Sequence, residues 1–191
     1  MLVKRVGRNL SMNNALWAPW RIDYIRTVAD GGAGCFLCEA ATMPQSDAPH
    51  LVLARNSRCI LMMNKFPYVN GHLLVAPYQH AADLAQVPPD TRSAMMELVV
   101  IGQQLLSEAM NPQGFNIGLN IGRCAGAGVP GHVHMHIVPR WNGDVNFMSV
   151  TGNVRVIPQA LTEAYKALLA AADKVLPAGQ AHAAGLNLPT E

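Results

Sequence analysis

Seven consecutive residues, His132 to Val138 (HVHMHIV), alternate an imidazole with an apolar side chain. Period two is the mark of a β-strand, whose successive side chains point to opposite faces. The spacing predicts a strand with His132, His134 and His136 on one face and Val133, Met135 and Ile137 turned into a core. Pro139 is expected to stop it. A buried core does not want three adjacent imidazoles, whereas a polar pocket does. Just upstream lies a loop with Gly122, Gly126, Gly128 and Gly131. Glycines let backbone N–H groups approach a ligand closely and cradle anionic oxygens. The combination points to a phosphate pocket, ahead of a solvated histidine face or a metal site built by the three histidines alone.

The flanking sequence supplies a sheet for that strand. Leu51–Ala54, Cys59–Met63 and Leu73–Ala76 read as short strands, with a connecting loop over Asn64–Gly71. Phe115 to Ile121 alternates as a half-buried strand should. Between the third and fourth strands, Pro89–Met110 takes helical spacing, with Met95, Met96, Leu98, Val99, Ile101, Leu105 and Leu106 on a broad apolar face. A C-terminal helix is expected over Pro158–Val175, and residues 39–49 read as loop. The fold class is therefore α+β, with a mainly antiparallel five-stranded sheet. Residues 1–34 form an N-terminal arm, 35–176 one domain, and 177–191 a flexible tail.

Charge removes several functions. With 14 Lys and Arg against 12 Asp and Glu, the net charge is +2, too small for a basic nucleic-acid surface. No apolar run approaches the ~18–20 residues that a membrane span needs. Lys4, Arg5 and Arg8 are followed by Asn9, Ser11, Asn13 and Asn14 rather than by the apolar stretch of an export signal. A cytoplasmic location is the expectation. Its reducing environment makes Cys35, Cys38, Cys59 and Cys124 thiols rather than a disulfide framework. Cys59 and Cys124 are expected to be small buried residues. Cys35 and Cys38 form a C-x-x-C pair, which zinc, redox chemistry or plain packing can explain. Redox motifs sit at a helix N-terminus after a strand, and the Gly-rich segment before this pair lacks one. A structural zinc needs two further ligands. His80 at the end of a strand is well placed, and His50 is its rival.

The run His132-Val133-His134-Met135-His136-Ile137-Val138 resembles the motif of the histidine triad (HIT) superfamily of nucleotidyl hydrolases and transferases. The resemblance covers roughly residues 35–150, because Asn64 to His72 is similar to that family's loop and strand after the first hairpin. Ala18-Pro19-Trp20-Arg21, Cys35-Phe36-Leu37-Cys38 and Pro139-Arg140-Trp141-Asn142-Gly143-Asp144 are similar to the branch containing bacterial diadenosine tetraphosphate phosphorylases. One departure stands out. Many family hydrolases carry Gln four residues before the first triad histidine, followed by Ser or Thr, where this chain has Gly128 and Val129.

The resemblance implies a HIT-like fold and a nucleotide substrate. His134 would attack the α-phosphorus and form a nucleotidyl-histidine, which splits one hard displacement into two easier ones. His136 would hold a phosphate oxygen or orient the nucleophile. Asn120 and the amides near Ala127 and Gly128 would hold the phosphates, Asn64 the ribose, and His72 would lie near the site. Trp141 is expected to pack or to border the second nucleotide. The resemblance further implies a structural zinc on Cys35, Cys38, His80 and His132, and a homodimer to which Trp17 and Trp20 of the arm contribute. Dinucleoside polyphosphate cleavage is the favoured activity. The alternatives are adenosine phosphoramidate hydrolysis and a nucleotide-binding regulatory protein with weak turnover.

Overall fold

The computed structural model describes residues 34–144 and 159–176. The expected arm with Trp17 and Trp20, the Ala18–Arg21 motif and the tail from 177 lie outside the described residues. Five strands form one antiparallel sheet: β1 (Val52–Arg55), β2 (Cys59–Met63), β3 (Leu73–Pro77), β4 (Gly114–Leu119) and β5 (Met135–Arg140). Their spatial order is β1-β2-β3-β5-β4, so the histidine-bearing strand lies inside the sheet and β4 forms an edge. The helices are α1 (Phe36–Thr42), α2 (Asp47–His50), α3 (Pro89–Met110) and α4 (Leu161–Val175).

The two faces of the sheet carry different loads. Leu61, Leu73, Val75 and Ile137 join α3 and α4 in the larger apolar core. Val52, Ile60, Met62, Leu74 and Ala76 face the other way and are covered by Leu37 and Ala40 of α1. His136 pairs with Leu74 and therefore shares this second face, just beyond the area that α1 covers.

α3 spans the expected residues. Pro89 opens it at the first helical position, and Asn111 closes it in the left-handed conformation. Its buried stripe includes Met95, Leu98 and Leu105, but Met96 is half exposed rather than part of that face. α4 starts at Leu161, three residues later than expected, and anchors to the sheet edge through a bond from Tyr165 Oη to the Val52 carbonyl.

Several expectations are corrected. Residues 39–49 are not loop, because Leu37 and Ala40 bury one face of α1 against the sheet. The first strand starts at Val52, since Leu51 sits at φ 58° as the cap of α2. The fourth strand ends at Leu119 rather than Ile121. Pro139 does not stop β5: β3 pairs with it only as far as Ile137, and beyond that the strand has a single neighbour. At the other end the ladder begins only at Met135, so His132 and His134 precede the paired strand. There the partner strand ends at Pro77, which has no N–H to give. Cys124 is exposed on the turn Arg123–Ala125, whereas Cys59 is buried as expected.

Gly71 closes the loop into β3 at φ +73°, and a Cβ there would sit 2.6 Å from Met110 Sδ and 2.8 Å from Leu106 Cδ2. Strain and overlap add, so Gly71→Ala is expected to cost about 2 kcal/mol or more in urea unfolding. An unchanged midpoint would contradict this close packing.

Candidate active site and metal centre

His134 sits at the mouth of β5 with its Nδ1 2.8 Å from the His132 carbonyl oxygen. A carbonyl only accepts, so Nδ1 carries the proton and Nε2 keeps its lone pair. Burial lowers the imidazole from its ordinary value, which keeps it neutral. The backbone thus presents a bare nucleophilic nitrogen.

His136 is set by a second chain of bonds. The backbone N–H of Tyr68 donates to His72 Nδ1 at 3.1 Å, and the Asn64 amide reaches the same nitrogen at 3.2 Å. With Nδ1 occupied as an acceptor, His72 is protonated at Nε2, which donates to His136 Nδ1 at 2.9 Å. His136 therefore holds its own proton on Nε2, which lies 3.4 Å from Asn120 Nδ2; two N–H donors do not bond, so in this tautomer the contact is no hydrogen bond and the His136 proton is left for a ligand. The His134 and His136 rings meet edge to face at 4.9 Å, and Tyr68 stacks on His136 at 5.8 Å. The pocket thus pairs one lone-pair nitrogen with one N–H donor. That is the minimum set for attacking an electrophilic phosphorus while binding one of its oxygens.

The expected residues divide into two groups. His134, His136, His72, Asn64 and Asn120 come together. His72, however, is fully buried behind His136 and orients it rather than facing the pocket. Asn64 spends its oxygen on the Phe66 N–H at 2.9 Å and its nitrogen on His72. Ala127 is corrected as an anion holder, because its N–H turns back to the Gly122 carbonyl at 3.3 Å. Gly128 remains on the exposed side of the same loop. Trp141 lies away from the two imidazoles. It follows the far end of β5, about 20 Å from His134 at ~3.3 Å per residue, and its indole N–H reaches the Met110 carbonyl. Tyr68 was missed, though an aromatic residue four positions before a strand-opening histidine was the available signal.

The four expected metal ligands do converge. The ligand atoms of Cys35, Cys38, His80 and His132 lie within 4.8 Å of one another. Cys38 Sγ is 3.1 Å from His80 Nδ1 and 3.4 Å from His132 Nδ1, and Cys35 Sγ is 3.3 Å from His132 Nδ1. Tetrahedral bonds of about 2.0–2.3 Å require ligand spacings of this order. His132 Nε2 lies 2.9 Å from the Pro77 carbonyl, so that nitrogen carries the proton and Nδ1 offers its lone pair to the cluster. Gly131 leaves room for the fourth ligand, since a Cβ there would stand 3.2 Å from His80 Nε2. His50 lies outside the cluster. The cysteine pair does open a helix, with Cys35 as its N-cap. Burial and the Cys35 thiol push Cys38 up to about 11, opposite to the lowered value of a redox-active thiol.

Comparison with known proteins agrees with this geometry. The HIT domain model matches residues 45–143, just over half of the chain. The chain belongs to the histidine triad family. A Mycobacterium tuberculosis relative named AP-4-A phosphorylase is 34% identical over 158 residues, covering 80% of this chain and 81% of the relative. The adenosine 5'-monophosphoramidase of Schizosaccharomyces pombe is 30% identical over 108 residues, 56% of this chain and 75% of that one. Among solved structures, a zinc-bound histidine triad family protein from Mycobacterium smegmatis superposes with a TM-score of 0.59 at 28% identity, over 72% of this chain and 94% of its own. HIT membership accounts for the triad strand, and the superposition for the five-stranded sheet.

The buried relay has a pH signature. Burial, with the neighbouring His136 and His134, pushes His72 down to about 3, and burial with His134 pushes His136 down to about 4. Both stay neutral in the folded chain at pH 5, while in the unfolded chain they take up protons below about 6.5. Their contribution is fully present above about pH 6.5 and is lost as the pH falls, down to about 4 for His136 and about 3 for His72. For His72 the loss between pH 7 and pH 5 is about 2 kcal/mol. Calorimetry at both values should show a smaller loss in His72→Gln than in the wild type; equal losses would refute the relay.

Proposed function

We propose that the chain is a nucleotidyl-transferring enzyme that cleaves dinucleoside polyphosphates, such as diadenosine tetraphosphate, with residues 35–176 as its HIT domain. The observation that carries this reading is the bonding of the two imidazoles, Nδ1 of His134 on the His132 carbonyl and Nδ1 of His136 on His72, which assigns the lone pair to His134 Nε2 and the proton to His136 Nε2. His134 Nε2 attacks the α-phosphorus; a P–N bond forms and the P–O bond to the remaining polyphosphate breaks. His136 donates from Nε2 to a phosphate oxygen as negative charge builds, helped by Asn120 and the loop at Gly128. Water or inorganic phosphate then attacks the nucleotidyl-histidine, and the electron pair of the P–N bond returns to His134. The likeness to AP-4-A phosphorylase over four-fifths of both chains favours a dinucleotide substrate.

We further propose that Cys35, Cys38, His80 and His132 hold a zinc ion. Bound there, zinc supplies a closed four-ligand crosslink and no activated water. Three observations support it: the ligand spacing, the second-sphere bond from His132 to Pro77, and the zinc-bound neighbour. We place the chain in the cytoplasm, a reading consistent with Cys35, Cys38, Cys59 and Cys124 lying outside any disulfide. We also propose that the working form is a homodimer joined at the edge of β4, which has no outer neighbour strand among the described residues and where Ile117 is exposed.

Product analysis with diadenosine tetraphosphate tests the activity. ADP plus ATP formed only with added phosphate means phosphorolysis, and AMP plus ATP without it means hydrolysis. No turnover would shift the reading to adenosine phosphoramidates or to a binding protein. His134→Ala is expected to lower kcat by at least about a thousandfold while nucleotide binding stays measurable. Turnover near the wild-type rate in that variant would sink the mechanism. Cys35→Ala should lose one equivalent of zinc by elemental analysis and melt at a lower temperature. Zinc content equal to wild type would overturn the metal assignment.

A further inference from the structure

α1 carries both cysteines at its start, with no side-chain cap bond to fix it there. So short a helix does not persist alone. Leu37 and Ala40 bury one face of it on the sheet, but apolar contact is non-directional and sets the rotation about the axis only coarsely. A metal centre tolerates little of that freedom, because ligand positions count to within ~0.2 Å.

Directional bonds reach α1 at its other end, from a residue far away in the sheet. Arg55 lies on the edge strand β1 and is only 5% exposed. Its Nη1 donates to the Ala41 carbonyl at 3.2 Å and its Nη2 to the Ala40 carbonyl. These are last-turn carbonyls, left without intrahelical partners, and α1 has no basic residue of its own there. The guanidinium is itself clamped: Nε donates to Asp47 Oδ1 at 3.0 Å and Oδ2 at 3.2 Å, and Nη2 also meets Asp47. Asp47 belongs to α2, which leads directly into β1. The planar fork thus ties the end of α1 to the rigid sheet at two adjacent carbonyls, which fixes both its rotation and its slide. Cys38 lies two residues before Ala40, so this clamp sets which way its sulfur points.

We propose that Arg55, held by Asp47, is a positioning residue for the metal centre. It aims Cys35 and Cys38 at His80 and His132 before any ion arrives. The proposal rests on the zinc reading above and adds the residue that preforms the site from outside it. With the clamp in place, metal binding does not have to order α1, and that saving appears as affinity.

The test is metal affinity, measured by chelator competition with zinc and by the thiolate charge-transfer bands of cobalt, on variants shown to be folded at the assay temperature. Arg55→Met is expected to weaken zinc binding about 10–100-fold, the usual cost of losing an outer-shell partner. Arg55→Lys keeps the charge but not the fork and should still lose most of it. Asp47→Asn, which only loosens the guanidinium, should lose less. Tyr165→Phe is the control, because it removes a buried bond to the same strand without touching α1. It should lower the melting temperature with no change in zinc affinity. Should Arg55→Met fail to fold, Arg55→Lys and Asp47→Asn carry the test. Folded Arg55 variants binding within twofold of wild type, or a Tyr165→Phe loss as large as theirs, would overturn the proposal. A wild-type protein that binds no metal would instead overturn the zinc reading itself, and this inference with it.

Discussion

His132 uses both ring nitrogens and its carbonyl in three directions at once. Nδ1 faces the two cysteines, Nε2 donates to the Pro77 carbonyl, and the backbone carbonyl accepts from His134 Nδ1. The candidate metal ligands, the central sheet and the proposed nucleophile therefore meet in one residue. The last of these bonds decides the chemistry. An imidazole protonated on Nδ1 attacks through Nε2, and the other tautomer would turn its proton toward the substrate. Because the accepting carbonyl belongs to a residue clamped through its side chain, the tautomer of His134 is tied to whatever holds His132.

The sheet makes this arrangement possible by treating its faces differently. One side is a conventional apolar core under α3 and α4. The other is divided: apolar under α1 along β1 to β3, and polar where β5 brings in the histidines. The candidate metal ligands sit on the border between these halves. A seven-residue helix is enough cover because Arg55 holds its last turn, and in the zinc reading its cysteines would hold the start.

The sequence made the sheet and the long helix legible because both depend on local periodicity. Val133, Met135 and Ile137 are in the core, and α3 begins and ends where its proline and asparagine predict. The shared face of the three histidines was legible only in part. His134 and His136 serve the pocket, but His132 turns its ring to the cysteines, because Pro77 offers that end a carbonyl and no amide. Long-range placement was harder. Trp141 is close to the triad in sequence yet a strand's length away in space. Arg55 gave no signal, since its partners are backbone carbonyls of another segment. His72 was expected near the site, but not behind His136. Its burial follows from the way Gly71 and Tyr68 fold the preceding loop over it.

The relay behind His136 also limits what kind of site this is. Every histidine in it is uncharged near neutrality, so in the proposed reaction a polyphosphate would meet hydrogen-bond donors without imidazolium charge. Such donors bind a resting phosphate weakly and a charge-gathering one more strongly, because the dipoles already point where the negative charge will grow. The imidazoles therefore contribute little to holding the substrate and most of their effect to the moment of transfer. Grip must come from the nucleoside and the loop amides. A pocket built this way ranks its substrates by how well their length and shape reach those holds, more than by how many charges they carry.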